Sequence, residues 1–230
     1  MLTPVAPDAK MGSGNDGSAG GSVGGDVVGS GPVGPGEGRA AGIERPAGDQ
    51  ARPEIFRTAV ASLTGTAVRH EVRVEPLRPP QRLAPWSYAI SADVRSADGD
   101  DLATGRLVLL HDPDGVEAWD GVLRLVAFAS AELDSQMGTD EMLPAVGWSW
   151  LIDALDDRHA AYRAAGGTVT QTTSTRFGDL VGPKTAVALE LRASWTAETP
   201  EMAPHLHAFV DLLCVAAGLP PEGVTLLSPS

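Results

Sequence analysis

Between residues 185 and 195 the chain alternates by twos. Val187, Leu189, Leu191, Ala193 and Trp195 share one side, and Ala188, Glu190, Arg192 and Ser194 share the other. Successive side chains of a strand point to opposite faces of its sheet, so this strand is buried on one face and wet on the other. A sheet made of such strands calls for a layer of helices on its apolar side. The pattern at residues 86–96 agrees, with Tyr88, Ile90, Ala92 and Val94 on one face. Residues 122–131 are apolar on both faces except at Arg124 and Ser130, which suits a central strand.

Three helical patterns supply the second layer. Phe56, Val60 and Leu63 form a stripe in residues 53–64, which begin with Pro53 and stop at Gly65. A longer helix starts near Asp140 or Pro144 and ends before Gly166-Gly167, with Trp148, Leu151, Ile152, Leu155, His159 and Tyr162 as its stripe. The last helix takes Thr199 as N-cap and Pro200 as its first residue. It carries Met202, Leu206, Phe209, Val210, Leu213 and Ala217 inward and stops at Gly218, ahead of Pro220-Pro221. Further strands are expected at residues 70–76, 102–110 and 168–177, with turns at Asp98-Gly99 and at Asp112-Pro113-Asp114-Gly115. The order is α-β-β-β-β-α-β-β-α. It predicts an α+β fold, a mostly antiparallel sheet with helices packed on one face.

This pattern begins only at Pro53. Residues 1–52 hold 14 of the 27 glycines and no aromatic residue. Such a segment cannot bury enough apolar surface to offset its ordering entropy, so it is expected to be a disordered tail. Residues 53–230 are expected to be a single domain. Met11 is an alternative start, which leaves open whether the whole tail is translated. Gly29, Gly31 and Gly34 match G-x-G-x-x-G, but Pro32 and Pro35 follow and no helix begins, so the match reads as linker.

Of the net charge of −13, the tail accounts for six acids and four bases, which leaves the domain at −11. That field repels a phosphate backbone, so nucleic acid is an unlikely partner on average charge. The lone Cys214 gives neither an intrachain disulfide nor a cysteine-based zinc cluster, and it sits in an apolar helical pattern. No run of about 18 apolar residues exists. No membrane span and no cofactor are expected, and the location is expected to be cytoplasmic.

Phe56 and Ala59-Val60, the stretch Leu83-Ala84-Pro85-Trp86-Ser87 and Ala131-Glu132-Leu133-Asp134 carry a resemblance. Its strongest part runs Leu143-Pro144, then Val146-Gly147-Trp148-Ser149-Trp150-Leu151. Gly166-Gly167-Thr168-Val169-Thr170 and Thr175 with Phe177-Gly178 extend it. From about Ile55 to Leu219 the chain resembles an uncharacterised actinobacterial family, domain of unknown function number three thousand. The resemblance implies no activity and no catalytic residue. A frequent gene neighbour of that family, a ribonuclease-D-like protein, implies at most a link to RNA processing.

Each candidate for chemistry has a plainer reading beside it. Gly147-Trp148-Ser149 begins like a nucleophile elbow, but the second glycine is Leu151 and no strand feeds the turn. His205 and His207 are two apart on a helix and diverge, so they cannot share a metal and are expected on the polar face. Asp112, Asp114 and Glu117 lack the spacing of a calcium loop. Glu132, Asp134 and Gln136 leave the central strand together and define the alternative reading, an enzyme with a carboxylate-centred site. Arg69, Arg73, Arg78 and Arg82 form the only basic bias and would carry any RNA contact. Residues 168–175 hold five threonines and no charge, with Val169 the only aliphatic residue. Such a face can add a partner strand or line a polar pocket. Thr170 and Thr172, with Arg176 and Lys184 from the following loop, are the expected binding residues. The expected function is therefore a non-catalytic binding or adaptor domain, meeting a protein partner or small ligand. Oligomeric state is left open. Trp148 and its neighbours are expected to grip the sheet.

Overall fold

The computed structural model describes residues 52–96, 98–134, 140–179 and 185–222, all within one compact unit of the chain, Arg45–Ser230. The expectations for residues 1–51, and those on Gln136 and Lys184, lie outside the described residues. The elements follow in the order α1 (Glu54–Gly65), β1 (Val72–Leu77), β2 (Trp86–Arg95), β3 (Asp101–Val116), β4 (Gly121–Leu133), α2 (Leu143–Asp157), β5 (Tyr162–Thr175), β6 (Thr185–Ala197) and α3 (Ala203–Ala216). This is an α+β fold with the anticipated element order.

The six strands form one antiparallel sheet in the order β1-β2-β3-β4-β6-β5. The register lines up two kinds of cross-strand row. Ile90, Leu107, Ala127, Ala193 and Gly167 form a row of small and apolar residues on the helix side. Ser91, Arg106, Phe128, Arg192 and Thr168 form a row on the opposite face, where no described helix packs. There the Arg192 guanidinium lies 5.6 Å above the Phe128 ring centroid. One-sided alternation in β2 and β6 is the direct sequence expression of this arrangement.

Alanine and glycine in the inner rows let the helices come close. A Cβ on Gly105 would stand 2.6 Å from Cζ of Phe209 in α3, and one on Gly147 of α2 would stand 3.1 Å from Leu189. Helix α3 is buried on most sides, with Leu206, Phe209, Leu213 and Cys214 in the core. Burial raises the Cys214 thiol to about 11, so it behaves as a small hydrophobe.

Four local expectations are corrected. First, α2 ends at Asp157, well before Gly166-Gly167. His159 adopts φ +54° and closes a Schellman motif: Ala160 N–H donates to the Leu155 carbonyl at 2.9 Å, and His159 N–H to that of Asp156 at 3.0 Å. His159 is exposed, and Tyr162 opens β5 instead of extending the helical stripe. Gly166 and Gly167 lie inside β5, beyond a bulge at Arg163–Gly166. Second, Asp112-Pro113-Asp114-Gly115 is not the hairpin turn. His111 pairs with Leu123 and Val116 with Gly121, so these residues bulge out of β3. The chain reverses at Glu117–Trp119 and Asp120, which takes the left-handed φ of +53°.

Third, α3 starts at Ala203 rather than beside Thr199. The reason is tertiary. The Ser62 hydroxyl of α1 accepts hydrogen bonds from the backbone N–H of Met202 (2.9 Å) and of Ala203 (3.1 Å), so the cap comes from another helix. Gly218, at φ +72°, does end α3 as anticipated, with Leu219 N–H donating to the Cys214 carbonyl. Fourth, His205 is in the core at 1% exposure, not on a polar face. Trp195 Nε1 donates to its Nδ1 at 3.1 Å, which puts the ring proton on Nε2. Burial lowers its pKa to about 4. His207 does lie at the surface side, where Nε2 donates to the Ala67 carbonyl.

Arg124 is buried, and the loss of solvent lowers its pKa. Its Nη1 donates to the Ala164 carbonyl (2.9 Å) and to Thr196 Oγ1 (3.0 Å), and its Nη2 to Ser194 Oγ (2.7 Å). The side chain reaches from β4 across β6 to the β5 bulge, where Ala164 holds φ +49°. A single guanidinium thus fastens the outermost strand two strands away.

Candidate functional site

Strand β5 is the outermost strand of the sheet on the β6 side. Thr170 and Thr172 pair with Glu190 and Ala188, and both side chains are exposed. Residues i and i+2 of a strand share a face, here the one without helices. Arg176 is half-buried just past the end of the same strand. Two of the four expected binding residues therefore sit side by side and a third is close in sequence, while Lys184 lies outside the described residues. From Ala164 to Thr175 the edge contains no proline and no charged residue. The other edge is different. β1 has six residues, contains Pro76, and carries the exposed pair Arg73–Glu75 at 2.5 Å. Short length, proline and charge are the usual ways of blunting an edge. β1 shows all three, and the stretch from Ala164 to Thr175 shows none.

The remaining candidates are scattered. Glu132 is exposed on the face without helices, and Asp134 is exposed just beyond β4. Neither lines the two larger cavities. Ser149 Oγ donates back to the Val146 carbonyl within α2 at 3.0 Å, a helical surface role and not that of an elbow nucleophile. In the arginine segment, Arg69 is nearly buried and bound in bidentate fashion to Glu71, with a further bond to the Pro220 carbonyl. That pairing holds the Glu71 carboxyl at about 2. Arg73 is paired with Glu75, whereas Arg78 and Arg82 are exposed. The four arginines do not form one basic patch. Among the described residues no group of three His, Cys, Asp or Glu side chains is placed to hold a metal. No described helix is long and apolar enough to cross a membrane.

Sequence reasoning missed a groove of about 710 Å³ between α2 and α3. Trp150, Asp153, Ala154, Asp157 and Arg158 line one wall, a spacing of three and four that marks one face of a helix. Asp211 and Val215 of α3 and the stretch Leu219-Pro220-Pro221-Glu222 form the other. Arg158 crosses between the helices and binds Asp211 through two bonds, 2.5 and 2.9 Å, with Glu222 at 3.6 Å. These carboxylates raise the Arg158 pKa, its bond to Asp211 most of all. Both indoles pack against the core as anticipated, Trp148 with Cζ3 against Gly167 and Trp150 at a small cavity shared with Ala131 of β4 and Leu189 of β6, and Trp150 also lines the groove beside ionisable groups. Residues two apart on a helix diverge by about 200°, so the spacing itself separates the two.

Fold and surface together define a class: a two-layer α+β domain with a sheet edge uncharged from Ala164 to Thr175 and a groove on its helical side. The chain belongs to the family described as Protein of unknown function (DUF3000), whose model matches residues 52–225. No curated protein and no solved structure matches the chain.

Proposed function

We propose that this domain is a non-catalytic binding module that takes an extended segment of a partner protein as a seventh strand alongside β5. One observation carries the reading: β5 is a 14-residue outermost strand, uncharged from Ala164 to Thr175 and exposed over most of its length. A strand at an edge presents backbone N–H and C=O groups that a further strand can satisfy, and alternate side chains supply selectivity. Thr170 and Thr172 are the selective contacts on the face without helices, Arg176 extends the surface, and Lys184, outside the described residues, is a further proposed contact. The alternatives have less support. Glu132 and Asp134 line neither of the two larger cavities among the described residues, and Arg69 and Arg73 are already paired with carboxylates. A cytoplasmic location belongs to this reading, since the buried thiol of Cys214 suits a reducing compartment.

The test is hydrogen exchange on the full chain, alone and with a partner captured from native cells. Amides of residues 162–175 are expected to slow when the partner is bound, while those of β1 do not change. Replacing Thr170 and Thr172 together by lysine is expected to abolish capture, because charge blunts an edge. Protection elsewhere, or undiminished capture by that double variant, refutes the proposal.

A further inference from the structure

The α2–α3 groove carries an inference that is independent of the β5 edge. Its volume falls within the ordinary range for a pocket that encloses a small ligand or a few side chains. Half of its lining residues are apolar or aromatic, namely Trp150, Ala154, Val215, Leu219, Pro220 and Pro221, and the other half are charged. Val215 is 42% exposed, a large aliphatic side chain left open on a helix that is otherwise mostly buried.

The charges around it are uneven. Both arginines of the groove are already committed, Arg69 to Glu71 and Arg158 to Asp211 and Glu222. Asp153 and Asp157 are exposed on the α2 wall and have no hydrogen-bond or ion-pair partner among the described residues. Their position is unfavourable for the helix itself. They are four apart, so they repel, and they stand in the C-terminal half of α2, where the helix dipole disfavours anions. The last turn holds no basic residue to offset them. Asp156, their neighbour, accepts a bond from Tyr162 and so has a structural role. Among the described residues Asp153 and Asp157 have no such partner.

Trp150 lies three and seven residues before these two carboxylates, on the same helical face. An indole beside two carboxylates suits a cation with an apolar stem: the ring attracts it through cation–π interaction and the carboxylates through charge. We infer that the groove lined by Trp150, Asp153, Asp157 and Val215 binds a short basic segment of a partner protein, with an arginine or lysine against Trp150 and an apolar neighbour against Val215 and Leu219. The commitment to a peptide comes from the layout: the carboxylates Asp211 and Glu222 are held by Arg158, which leaves Asp153 and Asp157 on the α2 wall opposite the apolar residues Val215, Leu219, Pro220 and Pro221. A peptide with adjacent charged and apolar side chains meets both walls at once.

The probe is an acetylated tripeptide amide of arginine, leucine and arginine, titrated into the full chain. The readout is the indole N–H resonance of Trp150, assigned by its loss in W150F. A saturable shift is expected, weakening as salt is raised. In the double variant D153N/D157N, binding is expected to fall by about tenfold while thermal stability is unchanged or higher, because the repulsion within α2 is removed. That opposite movement of affinity and stability separates lost recognition from lost folding. No shift at millimolar peptide, equal binding by the double variant, or equally tight binding of agmatine or of the corresponding glutamate peptide each overturns the inference.

Discussion

Gly167 gives the sharpest test of how the two layers meet. A Cβ placed on it would lie 2.3 Å from the carbonyl oxygen of Arg192, 2.9 Å from Cα of Ala193 and 2.9 Å from Cζ3 of Trp148. The first two are backbone atoms of the neighbouring strand and cannot rotate away, and the third belongs to the indole that packs α2 onto β5. Gly167→Ala must therefore open the β5–β6 ladder or displace α2. Overpacking of this kind costs about 1–3 kcal/mol, and more when backbone must move, so about 3 kcal/mol is expected. For a domain of this size that is a fall in melting temperature of about 6–12 °C. The control is its neighbour. A Cβ on Gly166 meets nothing within 4 Å, and its φ is not in the left-handed region, so Gly166→Ala is expected to be neutral or to stabilise by about 0.4–1 kcal/mol. Thermal unfolding followed by circular dichroism measures both. Equal melting temperatures for the two variants would refute the account of Gly167 as the contact point between α2 and the sheet.

Two other perturbations test the core. Ser62→Ala leaves the N–H groups of Met202 and Ala203 without their shared acceptor, so a loss of about 1–2 kcal/mol is expected in denaturant unfolding, with early exchange at the start of α3. His205 has a pKa lowered to about 4 by burial, against about 6.5 in the unfolded chain. Between these values the unfolded state binds the proton and the folded state does not. Stability is therefore lost as pH falls from 6.5 to 4, by about 3 kcal/mol from this residue. His205→Gln removes that titration, and its pH–stability curve is expected to be flatter than the wild type over this window. Parallel curves would show that His205 is not desolvated.

The layout of elements could be read from residues because it rests on periodicity. Val187 to Trp195 and Tyr88 to Val94 alternate, and Leu206 to Leu213 recur at helical spacing, so burial dictates pattern and pattern reveals burial. The misreadings share a cause of another kind: at each, a tertiary contact replaced a local signal. α2 stops at Asp157 and closes on His159, a non-glycine residue in the left-handed conformation, and of Gly166-Gly167 it is Gly167 that close approach to β6 and Trp148 requires. α3 begins late because its cap is on α1, which Thr199 and Pro200 do not report. His205 is buried with Trp195 donating to its Nδ1, a partner that helical spacing does not report. At the candidate sites, the exposed threonines of β5 were foreseeable from composition, but their place at the edge was not, since strand order depends on which strands pair. The groove is hidden from the sequence because its walls come from α2 and from residues 211–222, which only tertiary packing brings together.

The shared cap at Ser62 ties the two ends of the domain into one folding event. The hydroxyl and the N–H groups that it serves are 140 and 141 residues apart in sequence. During synthesis the first helix leaves the ribosome long before the last one exists, and it must wait, partly uncovered, for its counterpart. Contacts of such separation slow folding, because a long loop must close before they return any stability. A nascent chain cut short before Met202 would thus expose both the inner face of the sheet and the flank of α1, and it would be a natural client for chaperones.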